Sequence, residues 1–347
     1  MCKQIEARRK IAIKVPYEKF QCKKDNFTAT LTVVNEKEEN HLCKTSNYNR
    51  MNDGKGRPAV IVCPGGAYFF KCDREGMPVA KAFAKAGAAA FLLDYSVTPN
   101  RFPAALLEVA QSILYVRQHA AQYNINPDKI IVCGFSAGGH LAATIGAMWH
   151  QPFLWKALQT TREMLRPQGI ILGYPVITTG ENTHIDSCIN LLGYENCTDL
   201  LESDWAAGYW LNGEMTQTQN CWNEQEQWEL KKRYDELLTD YEKKEGDLQE
   251  SLNILKAVSI EGQITANTPP AFIWTTFDDD LVPMENSMLF VEAMRKENIP
   301  VEFHLFPHGI HGLSLATEDI SAMPDRQDIS LTVQAWFSMA LGWMESL

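Results

Sequence analysis

With 347 residues, 45% of them apolar and 22% charged, the chain has the make-up of one large folded domain, or one domain with an insert, and global disorder is excluded. A balance of 32 Lys and Arg against 43 Asp and Glu gives a formal charge of -11. That argues against a nucleic-acid binder or a protein of anionic membranes, since either needs a concentrated basic face.

The N-terminal stretch MCKQIEARRKIAIKV lacks the apolar centre of a signal peptide, so a cytoplasmic protein is expected. Residues 9–35 read as two exposed strands around a turn, RKIAIKVPY and FTATLTVVN, and a polar loop follows from Glu36 to Arg57. These first 57 residues are assigned to the same domain as residues 58–347. From Pro58 onward, short apolar runs alternate with helical patterns. The runs Pro58–Cys63, Ala88–Asp94, Lys129–Cys133 and Gly169–Tyr174 suit strands buried on both faces of a parallel sheet. Val79–Ala86, Ala104–Tyr123 and Gly139–Trp149 carry helical spacing between them. Although weakly polar, Ile131–Met148 is interrupted by Ser136, His140 and several glycines and is not a membrane span.

Residues 202–250 break the rhythm. Leu230, Tyr234, Leu237 and Tyr241 recur at three- and four-residue steps, giving a helix with one apolar stripe. It reads as a surface helix, as a lid over a pocket, or as a subunit contact in a homodimer. Two further strands, Ala271–Thr275 and Val301–Phe306, flank a helix at Glu285–Lys296, and Ile329–Met344 forms a terminal helix. The alternation specifies an α/β fold: a mostly parallel central sheet with helices on both faces, plus a helical insert. The nine cysteines include no CxxC pair and read as free thiols. His184, Cys188 and Cys197 match no recognised metal-ligand spacing, so neither a metal nor an organic cofactor is expected.

The sharpest chemical signal is Gly134-Phe135-Ser136-Ala137-Gly138, which joins the strand ending at Cys133 to a helix beginning near His140. A strand that turns so abruptly into a helix leaves no room for flanking side chains, hence the glycines, and it exposes Ser136 as a nucleophile at a helix N-terminus. A serine hydroxyl needs a base, and the base needs an orienting carboxylate. Of eight histidines, His311 has the best context, in a loop after the last strand, with His308 its neighbour and competitor. His140 is expected to pack or cap at the start of its helix. Asp278, Asp279 and Asp280 follow strand Ala271–Thr275; Asp278 is favoured as the acid, Asp279 is the substitute, and the others are left to cap the next helix. Backbone N–H groups of Gly66, Ala67 and Ala137 are the candidate oxyanion donors. Tyr68, Phe69 and Tyr95 either line an acyl pocket or are core aromatics.

These residues carry a resemblance. PGGAY, LLDYSVTP with FPAALLEV, GFSAGGHLA, ILGYPVI, NLLG, TPPAFIWTTFDDDLVP and HLFPHGIHG together resemble the α/β-hydrolase esterases of the hormone-sensitive-lipase-like and acetyl-xylan-esterase-like group. The order Ser136, Asp278, His311 is also that of α/β-hydrolases. One departure is PGGA, where the lipase relatives usually have HGGG, so that Ala67 replaces a glycine; the insert is the other. The resemblance implies an α/β-hydrolase fold and an enzyme removing short acyl groups, acetyl first, from xylo-oligosaccharides or other sugars. Its partner is then a small ester substrate, with no nucleic acid and no membrane. Two alternatives remain. One is a peptidase, since the aspartate turn and histidine segment also resemble oligopeptidase catalytic domains, although 57 residues before PAVIVC cannot form the propeller those proteins carry. The other is a non-catalytic binding protein of the same fold.

Overall fold

The computed structural model describes residues 9–34, 56–193, 196–197 and 254–347. The helical insert expected at about 202–250 lies outside the described residues. Runs of valine, isoleucine and phenylalanine, apolar on both faces, build the sheet. Its strands are β1 (Lys10–Ala12), β2 (Thr30–Val34), β3 (Arg57–Cys63), β4 (Ala89–Asp94), β5 (Ile125–Phe135), β6 (Gly169–Gly173), β7 (Ala271–Thr276) and β8 (Val301–Phe306). Among the described residues they form one sheet in the order β1-β2-β4-β3-β5-β6-β7-β8. Only the β1–β2 and β2–β4 pairs are antiparallel, and every pair from β4 to β8 is parallel. The N-terminal strands therefore extend the same sheet. Of the two strands expected to be exposed, β1 at the sheet edge is so, but Leu31, Thr32, Val33 and Val34 of β2 are buried beside β4.

Period-two alternation sends neighbouring side chains into two cores. Ala59, Ile61, Ile130 and Val132 face one core, which takes in α2 (Ala104–Gln118), α3 (Ser136–Met148) and α6 (Glu285–Lys296). Val60, Val62, Ile131 and Cys133 face the other, under α1 (Met77–Lys85) and α7 (Ala335–Ser346). Two short helices, α4 (Pro152–Ala157) and α5 (Ile185–Leu192), complete the first layer. Helices thus cover both faces, as the alternation requires. This is the α/β-hydrolase fold.

Three boundaries differ from expectation for local reasons. The α2 helix stops at Gln118, and a 3-10 turn at Ala120–Tyr123 leads to Asn124, whose left-handed φ of 52° ends it. The α3 helix starts at Ser136 itself rather than at Gly139. The α7 helix starts at Ala335, since the preceding residues form tight i to i−3 turns, with Ala335 N–H on Thr332 and Trp336 N–H on Val333. Among the described residues no helix is long and apolar enough to cross a membrane. Cys22, Cys63, Cys72, Cys133, Cys188 and Cys197 are free thiols.

The second core is aromatic and reaches towards the site. Trp336 is fully buried, stacks on Trp274 with centroids 5.3 Å apart, and meets Phe135 edge-on at 5.7 Å. Its indole N–H donates to the Ser314 carbonyl at 2.9 Å, tying α7 to the loop that carries His311. Trp336→Ala should lower unfolding free energy by about 3–5 kcal/mol, the range for a fully buried large side chain. Urea unfolding followed by far-UV circular dichroism measures it.

Candidate active site

All the chemistry-bearing residues lie on connections that leave the C-terminal ends of β3, β5, β7 and β8, which in a parallel sheet is one edge. The central piece is the turn from β5 into α3. Ser136 has φ +51°, in the left-handed region. A Cβ on Gly134 would lie 2.0 Å from the Gly138 oxygen, and one on Gly138 would lie 2.1 Å from the Cys63 oxygen. Both glycines are thus required by backbone approaching backbone, which is the physical content of the GxSxG spacing.

Ser136 Oγ–H donates to His311 Nε2 at 2.9 Å, and His311 Nδ1–H donates to Asp279 Oδ2 at 2.8 Å. Ser136 is 6% exposed and His311 9%, so the chain of hydrogen bonds is shielded from water. The partner of His311 is Asp279, which corrects the preference for Asp278. Asp278 Oδ2 instead accepts from His308 Nδ1 at 2.7 Å on the surface. The helix at Glu285–Lys296 has no side-chain cap, so the capping expected of the other aspartates is not seen; Asp279 Oδ1 instead closes the turn before it, accepting the Leu281 and Val282 N–H groups at 3.1 and 2.9 Å and leaving Oδ2 for His311. The histidine loop is anchored to β7, where Thr276 Oγ1 donates to the Gly309 carbonyl at 2.8 Å.

Burial disfavours the imidazolium of His311, but the Asp279 charge and hydrogen bond, followed by the Glu75 and Asp280 charges, outweigh it. The net effect raises the His311 pKa above its ordinary value. His184, whose ring caps α5 by accepting the Ser187 N–H, is pushed down to about 3 by burial and by the nearby His311, so it stays neutral.

The loop after β3 carries the candidate oxyanion donors. Gly66, Ala67 and Tyr68 have φ of 121°, 53° and 55°, so Ala67 adopts a left-handed conformation where the lipase motif has glycine. Four consecutive carbonyls are engaged: Gly65 by Cys72 N–H (3.0 Å), Gly66 by Phe69 N–H (2.8 Å), Ala67 by Asn190 Nδ2 (3.0 Å) and Tyr68 by Thr98 N–H (2.8 Å). A peptide is planar and trans, so fixing each carbonyl fixes the following N–H in the opposite sense. The Gly66 and Ala67 N–H groups are oriented in this way, and among the described residues neither donates to a protein acceptor. The loop lies against the elbow, since a Cβ on Gly65 would come within 2.8 Å of the Ser136 Cβ. Ala137 is fully buried at the first turn of α3.

Tyr68 belongs to the core rather than to a substrate surface: it is 2% exposed and its hydroxyl donates to His140 Nδ1 at 2.8 Å. Tyr95 is likewise buried, with its hydroxyl on the Pro64 carbonyl at 2.6 Å. Phe69 is half-buried. His140 packs in the core and donates from Nε2 to the Val258 carbonyl; burial pushes its pKa down to about 4. Sequence reasoning missed Asn190, Tyr174 and Glu75. Asn190 lay in the NLLG motif and Tyr174 in ILGYPVI, each quoted without a role, and nothing in the pattern marked Glu75. Among the described residues no three His, Cys, Asp or Glu side chains are grouped as a metal site requires.

The BD-FAE family profile matches residues 47–294, well over half of the 347-residue chain. The chain belongs to the BD-FAE family. This BD-FAE chain is 33% identical over 274 residues to endo-1,4-beta-xylanase B of Butyrivibrio fibrisolvens, covering 77% of the chain and 34% of that protein. It is 27% identical to the acetylxylan esterase of Xylanibacter ruminicola, covering 75% of the chain and 42% of the relative. The chain thus spans about a third to two fifths of the length of these curated relatives. Among solved structures, the acetyl ester-xyloside bifunctional hydrolase of Caldicellulosiruptor lactoaceticus superposes with a TM-score of 0.65 at 27% identity, over 99% of this chain and 98% of that one.

Two outcomes follow for this BD-FAE site with an ester substrate. Asp279→Asn should lower kcat by about 10⁴-fold, because the wrong imidazole tautomer is then stabilised, while Asp278→Asn changes it by less than about fivefold, as an exposed pair should. Steady-state kinetics of the two variants separates the aspartates. As the candidate base, His311 would accept the serine proton only when neutral, and its pKa is raised, so kcat/KM should climb with pH along an acid limb centred above the ordinary histidine value of 6.5. A pH–rate profile reads the limb directly.

Proposed function

We propose that the chain is a serine carboxylesterase that removes short acyl groups, acetyl foremost, from xylo-oligosaccharides or related sugars. The observation that carries the reading is the unbroken line of hydrogen bonds from Ser136 through His311 to Asp279, beside a loop whose Gly66 and Ala67 N–H groups are set opposite to its engaged carbonyls. The names of the xylanase and acetylxylan esterase relatives support the sugar ester as substrate.

In this reading Ser136 Oγ attacks the ester carbonyl carbon as His311 Nε2 takes its proton, and the carbonyl oxygen becomes an oxyanion facing the N–H groups of Gly66, Ala67 and Ala137. Asp279 stabilises the imidazolium and keeps the ring turned to the serine. Collapse of the tetrahedral intermediate breaks the bond to the sugar oxygen, which leaves with the proton from His311. The acyl group remains on Ser136. Water then attacks the acyl-enzyme, giving its proton to His311. Collapse of the second intermediate releases the carboxylic acid and returns the proton to Ser136. Each donor in the loop is expected to be worth about 10²–10³ in kcat.

Phe69 is the remaining candidate for substrate contact. Ser136→Ala should reduce turnover of p-nitrophenyl acetate to near background while leaving the circular dichroism spectrum unchanged. In the same assay the unaltered protein should lose activity progressively from acetate to octanoate esters and should release acetate from acetylated xylo-oligosaccharides. Full turnover by Ser136→Ala would end the proposal. Aminoacyl amides cleaved faster than acyl esters would replace it with the peptidase reading.

A further inference from the structure

A second carboxylate lies behind the site. Glu75 ends the 3-10 turn Asp73–Glu75, is 2% exposed, and makes no direct contact with Ser136 among its hydrogen bonds. Its Oε2 accepts the Gly65 N–H at 2.7 Å and its Oε1 accepts the Tyr174 hydroxyl at 2.7 Å. Tyr174 Oη accepts the Ser314 N–H at 2.9 Å, so its own proton goes to Glu75. Both bonds to Glu75 are therefore ones it accepts, the pattern that suits an ionised carboxylate. The Tyr174 ring also packs edge-on against His311, with centroids 4.8 Å apart. Neighbouring Arg74 donates to the Gly312 carbonyl and to Asp328, and Ser314 Oγ donates back to the Arg74 carbonyl at 2.7 Å. One short turn thus holds the oxyanion loop on one side and the histidine loop on the other.

We propose that Glu75 is a positioning residue. Through Gly65 it sets the Gly66 and Ala67 N–H groups, through Tyr174 it sets the His311 loop, and its charge steadies the imidazolium formed during acyl transfer. The inference rests on the serine-esterase reading. The charge effect is separable from packing because a Glu75 carboxylate is close enough for its charge to favour the His311 imidazolium, whatever the packing around it. The groups facing Glu75 are Tyr174, His311, Arg74, Cys72, Cys133 and Tyr95. Those facing His311 are Asp279, Asp280, Glu75 and the neutral His184. Burial raises the Glu75 pKa, and the Tyr174 bond, the His311 charge, the Gly65 bond and Arg74 only partly offset it.

Two substitutions divide reach from charge. Glu75→Gln keeps the length and removes the charge; Glu75→Asp keeps the charge but is one methylene too short to serve both Gly65 and Tyr174. The His311 Hε1 resonance, assigned by its loss in His311→Asn, is titrated by NMR in each protein, alongside kcat and KM for p-nitrophenyl acetate. Glu75→Gln should move the His311 midpoint down by about one pH unit, and the acid limb of kcat/KM with it. Glu75→Asp should leave the midpoint in place while kcat falls about tenfold or more with KM little changed. An unmoved midpoint in Glu75→Gln, or a kcat in Glu75→Asp equal to that of the unaltered protein, overturns the proposal. If Glu75→Gln does not fold, Glu75→Asp decides alone. The NMR titration needs no substrate, so a protein inactive on esters would sink the esterase reading while still reporting on Glu75.

Discussion

Everything at this sheet edge depends on how closely two pieces of backbone approach each other at the end of β5. Gly134 and Gly138 leave no space for a Cβ against the Gly138 and Cys63 carbonyls, and Ser136 is held between them at a positive φ. That conformation costs about 1–3 kcal/mol and persists because the surrounding sheet and helices over-determine it. In return the serine is presented at the first residue of α3 while the strand and helix on either side stay fully packed. The loop after β3 lies against the same turn, so nucleophile and donor loop share one rigid contact. A looser elbow would misplace both together.

The electrostatic arrangement extends this constraint outward. Asp279 lies in line with the imidazole, Asp280 and Glu75 lie further off, and all three favour the protonated ring. Burial works in the opposite direction and on its own would leave a weak base, as it does for His140 and His184, which are pushed down to about 4 and about 3. Three buried imidazoles in one domain thus take different roles according to whether a carboxylate stands beside them.

Much of this was legible in the chain because it is local. The GxSxG spacing after an apolar strand reports a backbone clash, which any sequence satisfying it must solve with glycine. The strands from β3 to β7 were legible because burial on both faces demands apolar runs, whereas β8, at the sheet edge, is only half-buried and carries Glu302 and His304. The choice between Asp278 and Asp279 was not legible, since it turns on where β7 ends and the turn begins, and a slip of one residue reverses which side faces the site. Here Asp279 is selected because its second oxygen closes the turn on Leu281 and Val282. Glu75 was hidden for a different reason: in the polar stretch KCDREG a glutamate reads as solvent-facing, and only the fold brings Gly65 and Tyr174 to it. Tyr68 shows the reverse, an aromatic next to the donors that the fold turns inward onto His140.

The four engaged carbonyls between Gly65 and Tyr68 have a consequence for how such a protein diversifies. A strap fastened at every peptide cannot flex to accommodate a bulkier guest, and it does not need to reorganise when charge develops. Tolerance and choosiness must therefore be written elsewhere, in side chains around the cleft that no tether constrains.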